Sequence, residues 1–452
     1  MRRFVFLLSL SLTAPHAQSE ELHRPEAVQN AKALFDRAAE SERAYFNLEH
    51  LADHIGHRLS GSESLKEAIQ WASSEMKAGG LDVRLQSVQV PHWERGVESA
   101  QLLSPVARNL EILGLGMTVG GDVEADVVVL TSFEELESTD VTGKIVLFDV
   151  PFTTYSETVA YRTKGPSRCA EKGAVAMLVR SISPESLYTP HTGTLRYSDS
   201  APQIPAAAVT LEDAAWLHRI ADDGESIRIR LSLGAQHHGM VESHNVIADL
   251  PGREIQDEAV LVACHLDSWD VGQGAQDDGA GCMIAWESAQ LLLDLGLTPR
   301  RTVRVVMYTA EENGIWGGKA YAEEEFHSLR LVAALESDSG NGVARSLRLD
   351  LSGYSEDLHP EITTRVAEFA EAMKSVGLES IAPGYSGADI LPSVKKGVVG
   401  FGLGHDTSDY WPIHHTHADT FEKIIPEDLA HNVGMMAAAV YLLAEAERPL
   451  AP

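Results

Sequence analysis

Three apolar runs in this chain end in side chains that can hold a metal ion. AVLVACH (259–265) ends at His265, with Asp267 just beyond; TVRVVMYTA (302–310) runs into Glu311-Glu312; LVAALES (331–337) is followed by Asp338. Two further groups offer the same chemistry, Asp277-Asp278-Gly279 and His414-His415-Thr416-His417-Ala418-Asp419. Imidazole and carboxylate without thiolate suit zinc in a site with an open, catalytic position. Each group alone has a plainer use. Asp277 or Asp278 could cap a helix, Glu311-Glu312 could begin an exposed one, Asp338 could sit in a turn, and His414, His415 and His417 could lie on the surface. Their repeated position at strand ends points to a site, because open α/β sheets bind ligands in the crevice outside the carboxyl ends of their strands.

Hydrophobic spacing predicts the elements that position these groups. From about Pro25 to Lys77 apolar residues recur at three and four, as at Ala31, Leu34, Phe35 and Ala38 and again at Ile69, Ala72 and Met76, which predicts helices. Gly79-Gly80 stops the second of these, and LDVRLQSVQV (81–90) alternates as a strand. Residues 108–239 have a different texture, with short strand-like runs (125–130, 144–150, 174–179) separated by Gly, Asp, Thr and Pro. They read as a β-rich module inserted into a larger domain. After Ser243 the order is strand (244–250), strand (259–265), helix (279–295), strand (302–310), helix (315–326) and strand (331–337), with further helices at 362–376 and 427–445. That alternation argues an α/β fold, a mixed sheet sandwiched by helices.

Composition narrows the function. The chain has 452 residues, 36 Lys plus Arg against 66 Asp plus Glu, and a net charge of −30. Such a field repels a phosphate backbone and disfavours anionic membrane surfaces, so nucleic acid is excluded as a partner. Three cysteines, Cys169, Cys264 and Cys282, are too few for a disulfide scaffold, and Cys264 and Cys282, in apolar settings, read as core residues. Residues 1–17, MRRFVFLLSLSLTAPHA, have the basic start and short apolar run of a secretory signal peptide, which predicts a secreted or periplasmic protein. No other segment approaches the length of a membrane span, and the apolar stretch Met435–Leu443, bracketed by His431 and Glu445, reads as a buried helix. Stable membrane insertion is not expected.

The motifs resemble those of a known family. HLDSWDVGQGAQDDGAG (265–281), TAEENG (309–314), ESDSG (336–340) and HHTHADT (414–420) are similar to the zinc-dependent M28 peptidases, and SWDVGQGA (268–275) to a carboxypeptidase branch acting on dipeptides. DHIGHRLSGSESL (53–65) and VPHWERG (90–96) extend the resemblance over nearly the whole chain. It implies a discontinuous zinc peptidase domain, residues 18–107 and 240–452. Residues 108–239, with GKIVLFDV (143–150), AEKGAVAMLV (170–179) and IPAAAVT (204–210), resemble a protease-associated domain.

The resemblance also implies a ligand set for two zinc ions per chain: His265 and Asp338 on one, Glu312 and His415 on the other, Asp277 bridging, with a cis peptide at Asp277–Asp278. Asp267 would fix the His265 tautomer, and Glu311, not itself a ligand, would be the general base. Many aminopeptidases of the family carry a tyrosine just before the last histidine ligand; here His414 stands there, as in the carboxypeptidase branch. His414 or Tyr410 would then stabilise the developing oxyanion. GYSGADI (384–390) is similar to the segment lining the family's substrate pocket, which singles out Ser386, Gly387 and Asp389.

The expected activity is hydrolysis of dipeptides or short peptides with free termini, with a homodimer implied by the branch. Alternatives are an aminopeptidase acting on longer peptides and, on the same fold, a binding protein without a working metal centre. A third option makes the inserted module an interaction platform.

Overall fold

The computed structural model describes residues 22–452, so the expected signal segment lies outside the described residues. The chain builds two eight-stranded sheets. In the first, Ile255–His265 lies at the centre, parallel to Arg301–Tyr308 on one side and Arg330–Glu336 on the other. Gly400–His405 runs parallel beyond Arg330–Glu336 and is followed by Ala344–Asp350 and Ser380–Pro383. On the far side the antiparallel pair Gln236–Leu250 and Asp82–Glu94 completes the sheet.

Central parallel strands are apolar on both faces because both are covered. Val260, Val262 and Cys264 face a layer that includes helices Pro25–Ala38, Glu63–Ala78, Ala280–Asp294, His359–Met373 and Pro426–Glu445. Ala259, Leu261 and Ala263 face the opposite layer, with Tyr321, Ile390 and Val394. The stretch expected as a buried C-terminal helix is one, buried almost continuously from Asn432 to Ala444. Cys264 and Cys282 are buried, unbridged core residues, as expected, and Cys169 is buried and unbridged too. Among the described residues no helix is long and apolar enough to cross a membrane.

The second sheet differs from expectation in extent and in kind. It starts at Glu98–Ser104, which pairs with Arg228–Leu233, ahead of the expected start of the inserted module at 108. The long strands Asp82–Glu94 and Gln236–Leu250 pair over almost their whole lengths and carry the chain out to this body and back. It is also not simply β-rich. Gly121–Leu130, Ile145–Phe148, Ala176–Arg180 and Ala206–Val209 run parallel, and helices Phe133–Ser138, Tyr155–Glu171 and Leu211–Asp222 lie among them. Parallel neighbours require crossovers; Phe133–Ser138 and Tyr155–Glu171 lie in the first two, and the third, residues 181–205, is irregular. Separate apolar clusters, one around Leu147 and Leu178 and the other around Phe148 and Met177, cover the two faces.

Candidate metal centre

Parallel strands bring their carboxyl ends to one edge, and the expected ligands converge there. His265 is the last residue of its strand, and its Nε2 lies 3.3 Å from Asp277 Oδ1 and 3.5 Å from Asp338 Oδ1. His415 Nε2 lies 3.2 Å from Asp277 Oδ2 and 3.2 Å from Glu312 Oε2. The two histidines therefore approach opposite oxygens of one carboxylate. His414 Nε2 also faces Asp277 Oδ2, at 3.6 Å, with its ring stacked on His415 at 3.5 Å. The sequence reading gave His414 to the oxyanion; the structure sets it beside the donor cluster as well.

The backbone around Asp277 is fixed from several directions. The Asp277–Asp278 peptide is cis. Asp419 accepts from the N–H groups of Gln276 (2.8 Å) and Asp277 (3.2 Å), and Asp278 accepts from those of His265 and Gly281 at 3.2 Å each. Arg58, fully buried, donates to the carbonyls of Gly56, Leu266, Gln273 and Gly274 and so braces the loop between His265 and Asp277.

Asp267 acts differently from the expectation. The atom within hydrogen-bond reach of His265 Nδ1 is the Asp267 backbone carbonyl, at 3.0 Å; its carboxylate Oδ1 is 3.8 Å away. That carboxylate accepts from the N–H groups of Glu311 (3.0 Å) and Glu312 (3.2 Å). It fixes the turn that presents both glutamates, where Ala310 has φ +57°.

Charge at the cluster calls for a cation. Asp277 Oδ2 and Glu312 Oε1 are buried carboxylate oxygens without a well-formed hydrogen bond. Three carboxylates, Asp277, Glu312 and the partly buried Asp338, converge on the imidazoles of His265 and His415, an excess of negative charge that is costly to bury. Burial raises Glu312 to about 7 and Glu311 well above its usual range. Burial also opposes the charge on Asp277, yet His265 and His415 hold it well below the usual carboxylate range. Donors about 2.0–2.1 Å from a tetrahedral ion lie about 3.4 Å from one another, and the separations here bracket that value. The residues fit a metal with nitrogen and oxygen preference.

The cluster opens on a cavity of about 500 Å³ lined by Glu311, Tyr410, His414, Tyr385, Ser386 and Gly387 on the peptidase side. Gly387, at φ +143°, lies so close to Glu336 that a Cβ would be 2.2 Å from its carboxyl carbon. Asp389 is not a wall residue: it is fully buried, and its N–H, with that of Ile390, binds the Glu336 carboxylate behind the wall. Ser386 Oγ donates to Asp350 Oδ2 at 3.2 Å.

The opposite wall comes from the second body, which the sequence reading left without site residues. Tyr155, Arg162, Thr194 and Arg196 line the cavity with Arg348 of the peptidase sheet. Tyr155 packs edge-on against His414 (5.3 Å) and stacks on Trp411 (5.0 Å). His191 Nδ1 contacts the His414 carbonyl at 2.7 Å. Tyr155 and Arg162 sit in a stretch with no ligand motif, so only the folded chain reveals them.

An α/β sheet that gathers imidazoles and carboxylates around one aspartate at its strand ends forms the kind of metal site found in metallopeptidases, and similarity to known proteins places the chain among them. Residues 245–440 match peptidase family M28. The chain is 40% identical to carboxypeptidase Q of Xenopus laevis, over 93% of this chain and 90% of that protein. A peptidase M28 precursor from Shewanella amazonensis SB2B superposes with a TM-score of 0.88 at 34% identity, covering 94% of this chain and 98% of that one. A zinc aminopeptidase from Bacillus subtilis shares the fold, with a TM-score of 0.66, 24% identity and 90% and 96% coverage. This chain belongs to peptidase family M28.

Proposed function

We propose that the chain is an exported dizinc exopeptidase that hydrolyses dipeptides or short peptides with free termini. The observation that carries the metal reading is the approach of His265 and His415 to opposite oxygens of Asp277. His265 and Asp338 would hold one zinc ion, Glu312 and His415 the other, and Asp277 both. Bound there, zinc would supply positive charge that acidifies water and polarises the scissile carbonyl.

The remaining chemistry belongs to the chain. Glu311 lines the cavity without approaching the donor cluster as Glu312 does; its carboxylate takes the proton of the attacking water and passes it to the leaving amine. Tyr410 and His414, on the same cavity, are the candidates to donate to the developing oxyanion. Burial keeps His414 neutral by pulling its basicity well down, so its Nε2 is a donor only in one tautomer. The Asp267 carboxylate positions the Glu311 backbone.

Short substrates are favoured by Tyr155 and Arg162 of the second body, which line the cavity opposite the donor cluster, and by arginines on its walls. Arg162, Arg196 and Arg348 line the cavity, which suits recognition of a free carboxylate. The second body, read as a protease-associated domain, would thus complete the substrate site. The homodimer implied by the branch resemblance belongs to the same proposal.

The test is hydrolysis of one unblocked dipeptide beside its N-acetylated and C-amidated forms by zinc-loaded protein. Cleavage of the free dipeptide alone is expected. Equal cleavage of the amidated form would replace this reading with an aminopeptidase, and cleavage of none would remove it.

A further inference from the structure

We propose that His92, Glu94 and His238 form a separate binding site for a divalent cation of the zinc class, on the outer face of the two strands that join the two bodies. His238 Nε2 lies 3.2 Å from Glu94 Oε2, and His92 Nε2 lies 3.7 Å from Glu94 Oε1. The three donor atoms all lie within 4.8 Å of one another. These separations bracket the edge of about 3.4 Å expected for tetrahedral zinc ligation by nitrogen and oxygen.

The convergence is built into the backbone. His92 and Glu94 are two apart on Asp82–Glu94, so their side chains share a face. On the partner strand His92 pairs with Gly239 and Trp93 with His237, and the register shifts between them. That bulge leaves His238 out of the ladder and lets it join His92 and Glu94; re-aiming a side chain is a common use of a bulge. Gly61 holds His92 in place from behind, where a Cβ would lie 2.7 Å from the His92 Cβ. Two imidazoles whose ring centres are 4.7 Å apart around one carboxylate would repel each other if both were protonated. As neutral ligands they share a cation without that repulsion, and thiolate-free His and Glu ligation suits zinc, with water completing the coordination.

The opposite side of the same bulge grips the second body. Trp93 Nε1–H donates to the Thr118 carbonyl at 2.9 Å, and His237 Nε2 contacts that carbonyl at 3.3 Å. A cation bound by His92, Glu94 and His238 would therefore pin the bulge that presents Trp93 and His237 to Thr118. The site is a clamp at the junction and not a second catalytic centre.

The test compares wild type with His238→Asn and Glu94→Gln, each carrying its catalytic metal. Zn²⁺ is titrated against a chromophoric chelator, and melting is followed with and without added Zn²⁺. Wild type should take up one more equivalent than either variant, and added Zn²⁺ should raise only the wild-type melting temperature. Without added Zn²⁺ the three proteins should melt alike and show equal peptidase activity. Equal uptake and equal melting shifts in all three would overturn the proposal. Because the readout is a difference between proteins with the same catalytic centre, it stands apart from the substrate reading above.

Discussion

Thr192 and His415 are joined twice across the two bodies: the Thr192 carbonyl lies 3.2 Å from His415 Nδ1, and the Thr192 N–H donates to the His415 carbonyl at 3.0 Å. A carbonyl only accepts, so this contact puts the proton on Nδ1 and frees Nε2, the atom that faces Asp277 and Glu312. The same pairing supports the backbone of His415, which sits at φ +61°. The second body thus helps set the tautomer and the orientation of a candidate ligand, which argues against its being an interaction platform alone.

Gly193 should be sensitive for that reason. It has φ +135°, and a Cβ there would lie 2.2 Å from Arg162 Nη1, whose guanidinium donates to the Thr192 carbonyl at 3.3 Å. Gly193→Ala must displace either Arg162 or the Thr192 peptide. Loss of such supporting contacts typically costs about 10–100-fold in metal affinity or activity. The expected result is a drop of that size in kcat/KM with an unchanged circular dichroism spectrum. Full activity would separate the 192–193 loop from the catalytic geometry.

Adjacent glutamates are expected to fail in different ways. Glu311→Gln removes the proton acceptor while leaving the donor cluster intact, so kcat should fall about 10²–10⁴-fold with metal content unchanged. Glu312→Gln removes a donor 3.2 Å from His415, so bound metal itself should be reduced. Metal analysis beside turnover distinguishes the two, and metal loss from the Glu311 variant would reverse the assignments.

Arg348 should report on the end of the substrate. It lines the cavity, and its Nη2 is committed to the Leu403 carbonyl at 3.0 Å while Nε is buried without a partner. Hydrogen bonds to charged groups contribute about 1.5–3 kcal/mol, roughly a tenfold to hundredfold rise in KM when one is lost. Arg348→Met should show that rise for a free dipeptide and little change for its C-amidated form. Equal changes for both would assign Arg348 to the wall alone.

His265 and Glu312 stand out in the sequence as candidate donors because buried parallel strands are apolar on both faces and the runs break there, while the full ligand set, read from the sequence, rests on the family resemblance alone. The same logic failed at the sheet's outer part. Ala344–Asp350 alternates in burial and Gly400–His405 carries three glycines, so neither has a long apolar run. The entry into the second sheet at Glu98 was missed because ESAQLLS carries few apolar residues. Thr192 was out of reach for another reason: it meets the His415 ring through its own backbone carbonyl across 223 positions, and no side-chain pattern at Thr192 encodes that. In GYSGADI the glycines were visible but their purpose was not, since Gly387 is required by the carboxyl of Glu336, a residue of another strand.

His23 makes a pH-dependent contribution to stability. Both ring nitrogens are buried without hydrogen-bond partners, beside Phe369 at 6.2 Å, and burial lowers its pKa from 6.5 to about 4. Below about pH 6.5 the unfolded chain binds a proton that the folded chain refuses until about pH 4, so protons favour unfolding across that window. The stability is fully present above the unfolded pKa and is lost as the pH falls toward the folded one. At about pH 5 the loss from this group amounts to about 2 kcal/mol. His23→Leu keeps an apolar side chain in the site and removes the titration. Between about pH 7 and pH 5, wild type should therefore lose about 2 kcal/mol more unfolding free energy in urea than the variant. Parallel losses would mean that His23 accepts its proton while folded, and that the packing around Phe369 opens to water.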